Sequence, residues 1–246
     1  MVFKTDLHIH STLSPCGSLG SSPQKIVAEA ARKELDIIAV SDHNSTRNLP
    51  AFKKAADGKV IPLFGIEVQT ISETHILVIF DKLDAAMSFG DIIFNNLPET
   101  PNNPEYFGDQ VVVDENETIL DFEERLLLQS VSLNVEEVCL KVHSLGGLAF
   151  PAHIDRDSFS ILSQLGYIPE NLPIDGIEIS SGLSIKEAGE RFPEYFARYP
   201  VIRNSDAHYI QDIGSFFTFF EMEEPSLSEI KQALLESNGR RHYFDA

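Results

Sequence analysis

The 246-residue sequence contains no tryptophan and only two cysteines, Cys16 and Cys139. One cysteine lies in a glycine-rich loop and the other in a helical pattern, so a disulfide framework is not expected and a reducing compartment is favoured. No apolar run approaches the ~20 residues that a membrane span needs, and the N-terminus lacks a secretion signal. We therefore expect a cytoplasmic protein with no membrane association.

Positive charge is scarce, because 19 lysines and arginines face 38 acidic residues and give a formal net charge of -19. Such a surface repels polyanions, which disfavours an extended nucleic-acid surface. A small anionic substrate would need local positive charge, and bound metal ions are a ready source. We expect a partner of that small anionic kind.

Short apolar runs alternate with helical patterns along most of the chain, which favours β/α units in one domain over residues 1–246. Ser22 and Pro23 mark the start of the first helix. The seven strand candidates are 3–8, 36–41, 60–67, 75–80, 148–153, 175–180 and 201–206. Seven strands approach the number in a β/α barrel.

The segment 82–133 interrupts this alternation, since it contains two helical patterns and an acidic patch but no clear barrel strand. We expect an insertion there. An insertion between two barrel strands can act as a lid or specificity element, or it can be an inert surface excursion.

Histidines are concentrated at the ends of the predicted strands. Single histidines at strand ends are usually structural, but six at such positions favour a common site. The six are His8, His10, His43, His75, His153 and His208.

The first two of these, His8 and His10, belong to an Asp-x-His-x-His run. Alternation along a strand directs both imidazoles to one face and the intervening Leu7 and Ile9 to the other. Two imidazoles on one face can share a metal ion. The spacing alone also fits two hydrogen-bonded structural histidines.

Carboxylates accompany the other histidines. Asp42 precedes His43 and is expected to bind metal, to orient an imidazole or to cap the following turn. Glu67 ends an apolar strand, where an unpaired carboxylate is costly, and bridging two cations would satisfy it. The interval to His75 is too short for a crossover helix and predicts an antiparallel hairpin. Asp206 precedes His208 by two positions.

This mixed histidine and carboxylate set suits Zn, Mn or Fe. The number of donors supports two or three divalent ions, ~3.5 to 4 Å apart, which would activate a hydroxide at neutral pH. We expect Glu67, Asp206 and His208 to act in catalysis, with His208 as a proton donor.

The ordered motifs resemble the PHP (polymerase and histidinol phosphatase) family over nearly the whole chain. The resemblance implies a distorted seven-stranded β/α (TIM-like) barrel, PHP type, with phosphoesterase activity. It implies one ion held by His8, His10, Glu67 and Asp206, a second by Glu67, His75 and His153, and a third held partly by His43 and His208.

One loop departs from the family pattern, because Cys16 stands where the family usually supplies an Asp or His to the third ion. A cysteine thiolate can serve as a soft ligand, or the third site can be weak or absent. For phosphate binding we expect Arg156, in the run after His153, and Arg203. An exposed arginine paired with a nearby acid explains Arg156 equally well.

The resulting hypothesis is a metal-dependent phosphoesterase that hydrolyses a phosphomonoester or a nucleoside bisphosphate. Two alternatives remain open from the residues alone. One is an exonuclease on short oligonucleotides, and the other is a metal-binding module without turnover.

Overall fold

The computed structural model describes residues 1–244 and contains a curled seven-stranded sheet. The described residues form this sheet and two separate strand pairs. In chain order the strands are β1 (Val2–Ile9), β2 (Ile37–Val40), β3 (Ile61–Gln69), β4 (His75–Phe80), β5 (Val111–Val113), β6 (Ile119–Phe122), β7 (Leu148–Pro151), β8 (Ile177–Ile179), β9 (Val201–Arg203), β10 (Thr218–Glu221) and β11 (Arg241–Tyr243). The sheet has the order β11-β10-β1-β2-β3-β4-β7.

Helices alternate with these strands. They are α1 (Pro23–Arg32), α2 (Leu49–Ala56), α3 (Leu83–Asn95), α4 (Pro104–Phe107), α5 (Val135–Ser144), α6 (Ile161–Leu165), α7 (Ile185–Arg191), α8 (Pro193–Phe196) and α9 (Leu227–Leu234). The predicted start of α1 is confirmed, because the Ser22 side chain accepts a hydrogen bond from Lys25 N and Pro23 occupies the first turn. No helix of residues 1–244 has the length and apolar character needed to cross a bilayer.

A parallel pair, β8 and β9, continues the curl of the sheet. Asp175 N, ahead of β8, donates to Ala149 O in β7, and His10 N, just after β1, donates to Ala207 O beyond β9. These bonds bring β8 and β9 between β7 and β1, so seven strands (β1–β4 and β7–β9) form a distorted and only partial barrel. The predicted fold class is confirmed, with β10 and β11 added at the outer edge of β1.

Alternate strand residues pack into two separate cores. One contains Leu7, Leu63 and Leu77 and is covered by α9. The other contains Ile9 and Phe64 and packs against α1, α2, α3 and α5. The sheet is therefore buried on both faces, as expected for strands flanked by helices.

The expected alternation in β1 is wrong at Leu7, because Leu7 and Ile9 lie in different cores. The register between β1 and β2 shifts between Asp6 and Ile9, so β1 contains one extra residue there. A β-bulge of this kind reverses the facing of the residues that follow it. His8 and His10 still converge on one site.

The segment expected to be an insertion contains α3, α4 and the β5–β6 hairpin, and neither β5 nor β6 joins the seven-stranded sheet. Helix α3 packs against β3 and β4. The hairpin is tied to loops near the barrel mouth, since Val111 N donates to Thr12 O and Asn48 Nδ2 donates to Val111 O. Its treatment as an insertion stays a prediction.

Candidate metal centre

The carboxylate of Glu67, near the end of β3, lies among five imidazoles. Its Oε2 is 3.4 Å from His8 Nε2, 3.5 Å from His10 Nε2 and 3.1 Å from His43 Nδ1. Its Oε1 is 3.0 Å from His75 Nδ1 and 3.1 Å from His153 Nε2. The two oxygens therefore face different sets of imidazoles, which is the arrangement that a bridging ligand between two cations requires.

The hairpin predicted from the short Glu67–His75 interval explains why His75 lies beside Glu67. Strands β3 and β4 are antiparallel, with Gln69 opposite His75. His75 thus returns to the end of the sheet where Glu67 lies. Asp206 joins from the segment after β9, and its Oδ1 is 3.1 Å from His10 Nε2 and 3.4 Å from His8 Nε2.

Three groups of donor atoms lie close enough to hold an ion, with all atoms of a group within 4.8 Å of one another. They are His8, His10 and Asp206; His43, Glu67 and His75; and His10, His43 and His208. Five of the six histidines predicted as ligands belong to these groups, whereas His153 belongs to none of the three, although its Nε2 lies 3.1 Å from Glu67 Oε1. His43 belongs to two groups, whereas the resemblance had assigned it to the third ion.

Divalent cations fit these residues because buried donor nitrogens lack other partners. His8 Nε2 and His43 Nδ1 are buried and have no hydrogen bond, although both lie near Glu67. A buried nitrogen without a partner is costly, and a coordinated metal ion removes that cost.

The charges in the centre also suit metal binding. Burial opposes ionisation of Glu67, but the adjacent imidazoles of His75, His8 and His43 hold its pKa well below the usual range. Burial lowers the pKa of His43 well below its ordinary value, so that imidazole is neutral. An ionised carboxylate and a neutral imidazole are the forms that bind metal.

Two donors adopt backbone conformations that side chains rarely take. His153 has φ 33° and Asp206 has φ 49°. Conformations in this region cost about 1–3 kcal/mol each and persist where the surroundings enforce them. Here they turn the chain at the strand ends so that both side chains enter the cluster.

A buried carboxylate that the sequence analysis missed contacts the cluster on the side of His8 that faces away from Glu67. Both oxygens of Glu178, in β8, lie 3.1 Å from His8 Nδ1, and Oε1 also accepts from Asn204 Nδ2 at 2.7 Å. An Nδ1–H bonded to a carboxylate leaves Nε2 free for a metal. The signal was present, because Glu178 interrupts an apolar strand as Glu67 does.

The carboxylate of Asp42 does not enter the cluster, so its assignment as a ligand is corrected. Its Oδ1 accepts from Ser11 N and Ser14 Oγ, and its Oδ2 accepts from Ser11 Oγ. Ser14 Oγ is in turn 2.9 Å from His10 Nδ1. Asp42 therefore positions His10 through Ser14, which was one of the alternatives considered for it.

The expected phosphate-binding arginines lie in different places. Arg156 Nη2 is 2.6 Å from Asp206 Oδ2, and its side chain is 40% exposed, so it borders the cluster. Arg203 points to the other face of β9, where its Nη2 donates to Leu183 O and its guanidinium covers the Phe216 ring. Its assignment to phosphate binding is corrected, because successive residues of a strand face opposite ways.

Two further expectations change at the rim. Cys16 belongs to none of the donor groups found within residues 1–244. Partial burial of its thiol, with Glu67 and Asp206 near, raises its pKa to about 12. His208 Nδ1 is 2.9 Å from Asp206 O, and burial, with His10 close by, lowers its pKa to about 4. This geometry favours a neutral ligand over a proton donor at His208.

Comparison with known families matches the PHP domain over residues 6–163, which include most of these donors, and a PHP-associated region over 197–238. The chain belongs to the PHP domain family. No curated protein sequence matches the chain.

Solved structures share the fold of this PHP domain. The lesion-specific endonuclease EndoQ from Pyrococcus furiosus superposes with a TM-score of 0.73 at 21% identity, covering 98% of this chain and 58% of that one. A complex of Endonuclease Q with a 27-mer duplex carrying an abasic lesion gives 0.72 with the same identity and coverage. A two-domain protein from Bacteroides vulgatus, described as containing a predicted PHP-like metal-dependent phosphoesterase, gives 0.57 at 21% identity over 99% of this chain and 65% of that one.

The PHP domain thus spans little more than half the length of the endonuclease. The expectation of a small anionic partner and no nucleic-acid surface is wrong, because a protein with this fold binds a 27-mer duplex at its active site. Net charge was a poor guide, since it averages over the whole surface while substrate contacts the metal centre locally.

Proposed function

We propose that this PHP domain hydrolyses phosphodiester bonds in nucleic acid. The observation that carries the proposal is the position of Glu67 between two sets of imidazoles, at a mouth that Arg156 borders. The likeness to Endonuclease Q in complex with duplex DNA supports nucleic acid as the substrate. Hydrolysis breaks one P–O bond, adds a water oxygen to phosphorus and leaves one hydroxyl and one phosphate end.

We infer two or three divalent ions, drawn from Zn, Mn or Fe, held by the three donor groups. When bound, such ions activate water and neutralise charge on the reacting oxygens. They also supply the local positive charge that a chain with a net charge of -19 otherwise has little of. A cytoplasmic location stays a prediction.

The protein's own residues do three things in this proposal. Glu67 stays ionised and holds two sets of donors together. Glu178 and Ser14 orient His8 and His10. Arg156, now paired with Asp206, can turn its guanidinium to two phosphate oxygens when a strand binds.

The test is strand scission. End-labelled single strands, intact duplexes and duplexes with one abasic site are incubated with wild-type protein and with Glu67→Ala under defined Mn or Zn supply. We expect cleavage of at least one of these by wild type, and none by the variant. Product lengths distinguish internal cleavage from stepwise removal of terminal nucleotides.

Hydrolysis of 4-nitrophenyl phosphate without scission of any strand would overturn the proposal. So would equal scission by Glu67→Ala, since that would indicate a contaminating nuclease. Cleavage of a short oligonucleotide only from its end would keep the proposed phosphodiester hydrolysis and would indicate an exonuclease.

A further inference from the structure

The loop 154–160, between His153 and α6, crosses the mouth of the metal centre. At one side Arg156 contacts Asp206, in the donor group of His8 and His10. At the other side the ring of Phe159 lies on the imidazole of His75, with centroids 4.9 Å apart and planes 22° from parallel. The loop therefore brings one cation and one aromatic ring to opposite sides of the centre.

The side chain of Phe159 lies at the surface, where much of its apolar area stays in contact with solvent. The residue is 40% exposed although its neighbour Ser160 is buried. Its φ of 57° is in the left-handed region, which bulky residues seldom adopt. The carbonyl of Phe159 accepts from His75 N at 2.8 Å, which fixes this conformation. Core packing does not explain an exposed ring in a strained backbone.

One face of the ring covers His75, so its exposed surface is directed outward from the centre. A flat aromatic surface beside a phosphate site is suited to stacking on a nucleobase, because every base presents a π-face. Arg156 lies on the opposite side of the mouth and is suited to the phosphate. A strand crossing the mouth would thus meet a phosphate contact and a base contact on one loop.

We propose that Phe159 is a stacking platform for a base that flanks the scissile phosphate. This inference rests on the proposed function, because it requires a nucleic acid substrate. It adds a base contact that the donor residues do not supply. The platform is sequence-tolerant, since stacking does not discriminate between bases by hydrogen bonds.

The test compares Phe159→Leu with Phe159→Tyr, which keeps the aromatic face. KM and kcat are measured on a cleaved oligonucleotide and on a series with a stable abasic residue at each position around the scissile bond. Loss of one stacked base corresponds to roughly 5- to 150-fold in affinity. We expect Phe159→Leu to raise KM about 10-fold on the natural strand, with kcat and metal content unchanged, and Phe159→Tyr to behave as wild type.

The abasic series supplies the decisive readout. At the stacked position the missing base should raise KM of wild type, and Phe159→Leu should then add nothing further. An unchanged KM for Phe159→Leu on the natural strand would overturn the platform. Loss of metal content in that variant would also overturn it, since it would show that the ring serves only to shield His75.

A binding arm separates this inference from the proposed function. Metal-loaded protein is titrated into single strands that contain 2-aminopurine, whose fluorescence falls on stacking. If wild type cleaves the strand but wild type and Phe159→Leu quench the fluorescence equally, the nuclease proposal stands and the stacking platform is overturned. If wild type shows no scission and no quenching, both the nuclease proposal and the stacking platform are overturned.

Discussion

The Nδ1 atom of His8 lies 3.1 Å from both carboxylate oxygens of Glu178. Burial alone would lower the pKa of His8, but the carboxylates of Glu178, Asp206 and Glu67 raise it well above its usual value. A metal ion at Nε2 would displace the proton there, and in that neutral, metal-binding form the Glu178 contact keeps the remaining proton on Nδ1 while Nε2 faces Glu67 and Asp206. Glu178 is therefore a positioning residue for a metal ligand.

Replacing Glu178 with glutamine should weaken metal binding and turnover by roughly 10- to 100-fold, the usual cost of losing such a partner. The amide can still accept one hydrogen bond, so folding should be kept. Metal dissociation constants and scission rates measure the effect. The matched control is Glu224→Gln, at an exposed position away from the cluster. Equal metal affinity in both variants would refute the positioning role.

Asp42→Asn should destabilise the fold by about 1–3 kcal/mol, because the amide cannot accept all three hydrogen bonds from Ser11 and Ser14. With metal in excess, metal content should remain near that of wild type, since Asp42 reaches the donor His10 only indirectly through Ser14. Denaturant unfolding and elemental analysis are measured on the same sample. Unchanged stability together with loss of an ion would make Asp42 a ligand after all.

Metal removal should lower the melting temperature. An ion at 100 times its dissociation constant stabilises a protein by about 2.7 kcal/mol, and at this chain length that corresponds to roughly 5–10 °C. Calorimetry before and after chelation, followed by re-addition of the metal, measures the shift. A melting temperature that chelation of metal-loaded protein leaves unchanged would exclude ions within the cluster.

Gly65→Ala should destabilise the protein by about 1–3 kcal/mol and reduce activity. A Cβ at Gly65 would lie 2.9 Å from Val40 O and from Ser41 Cβ, so β2 and β3 must separate just before His43 and Glu67. Gly189→Ala, in α7, is the control, because the added Cβ would meet only the Phe196 ring, at an ordinary contact distance of 3.5 Å. The two unfolding free energies should differ clearly, and similar values would contradict the close packing of β2 on β3.

Much of this centre could be predicted because ligands at strand ends leave a local pattern. The hairpin that returns His75 to Glu67 followed from the length of the interval between them. The bulge in β1 could not be foreseen, since one extra residue leaves no mark in the composition. Glu178 was overlooked because its partner His8 is 170 positions away in the sequence.

Arg203 and the substrate class failed for different reasons. Arg203 lies at the expected strand end, but Asn204 takes the inward position and bonds Glu178, which turns Arg203 outward. The substrate class was inferred from net charge, and charge summed over the chain carries no information about which groups surround the metal centre. Both errors concern direction and location, which only the folded chain supplies.

The most direct test of the account is elemental analysis of anaerobically purified wild-type protein and of Glu67→Ala, each checked for native folding by circular dichroism. The account predicts at least two divalent ions per wild-type chain and the loss of one or more in the variant, because Glu67 lies between two sets of donors. Equal metal content in two folded proteins would contradict it.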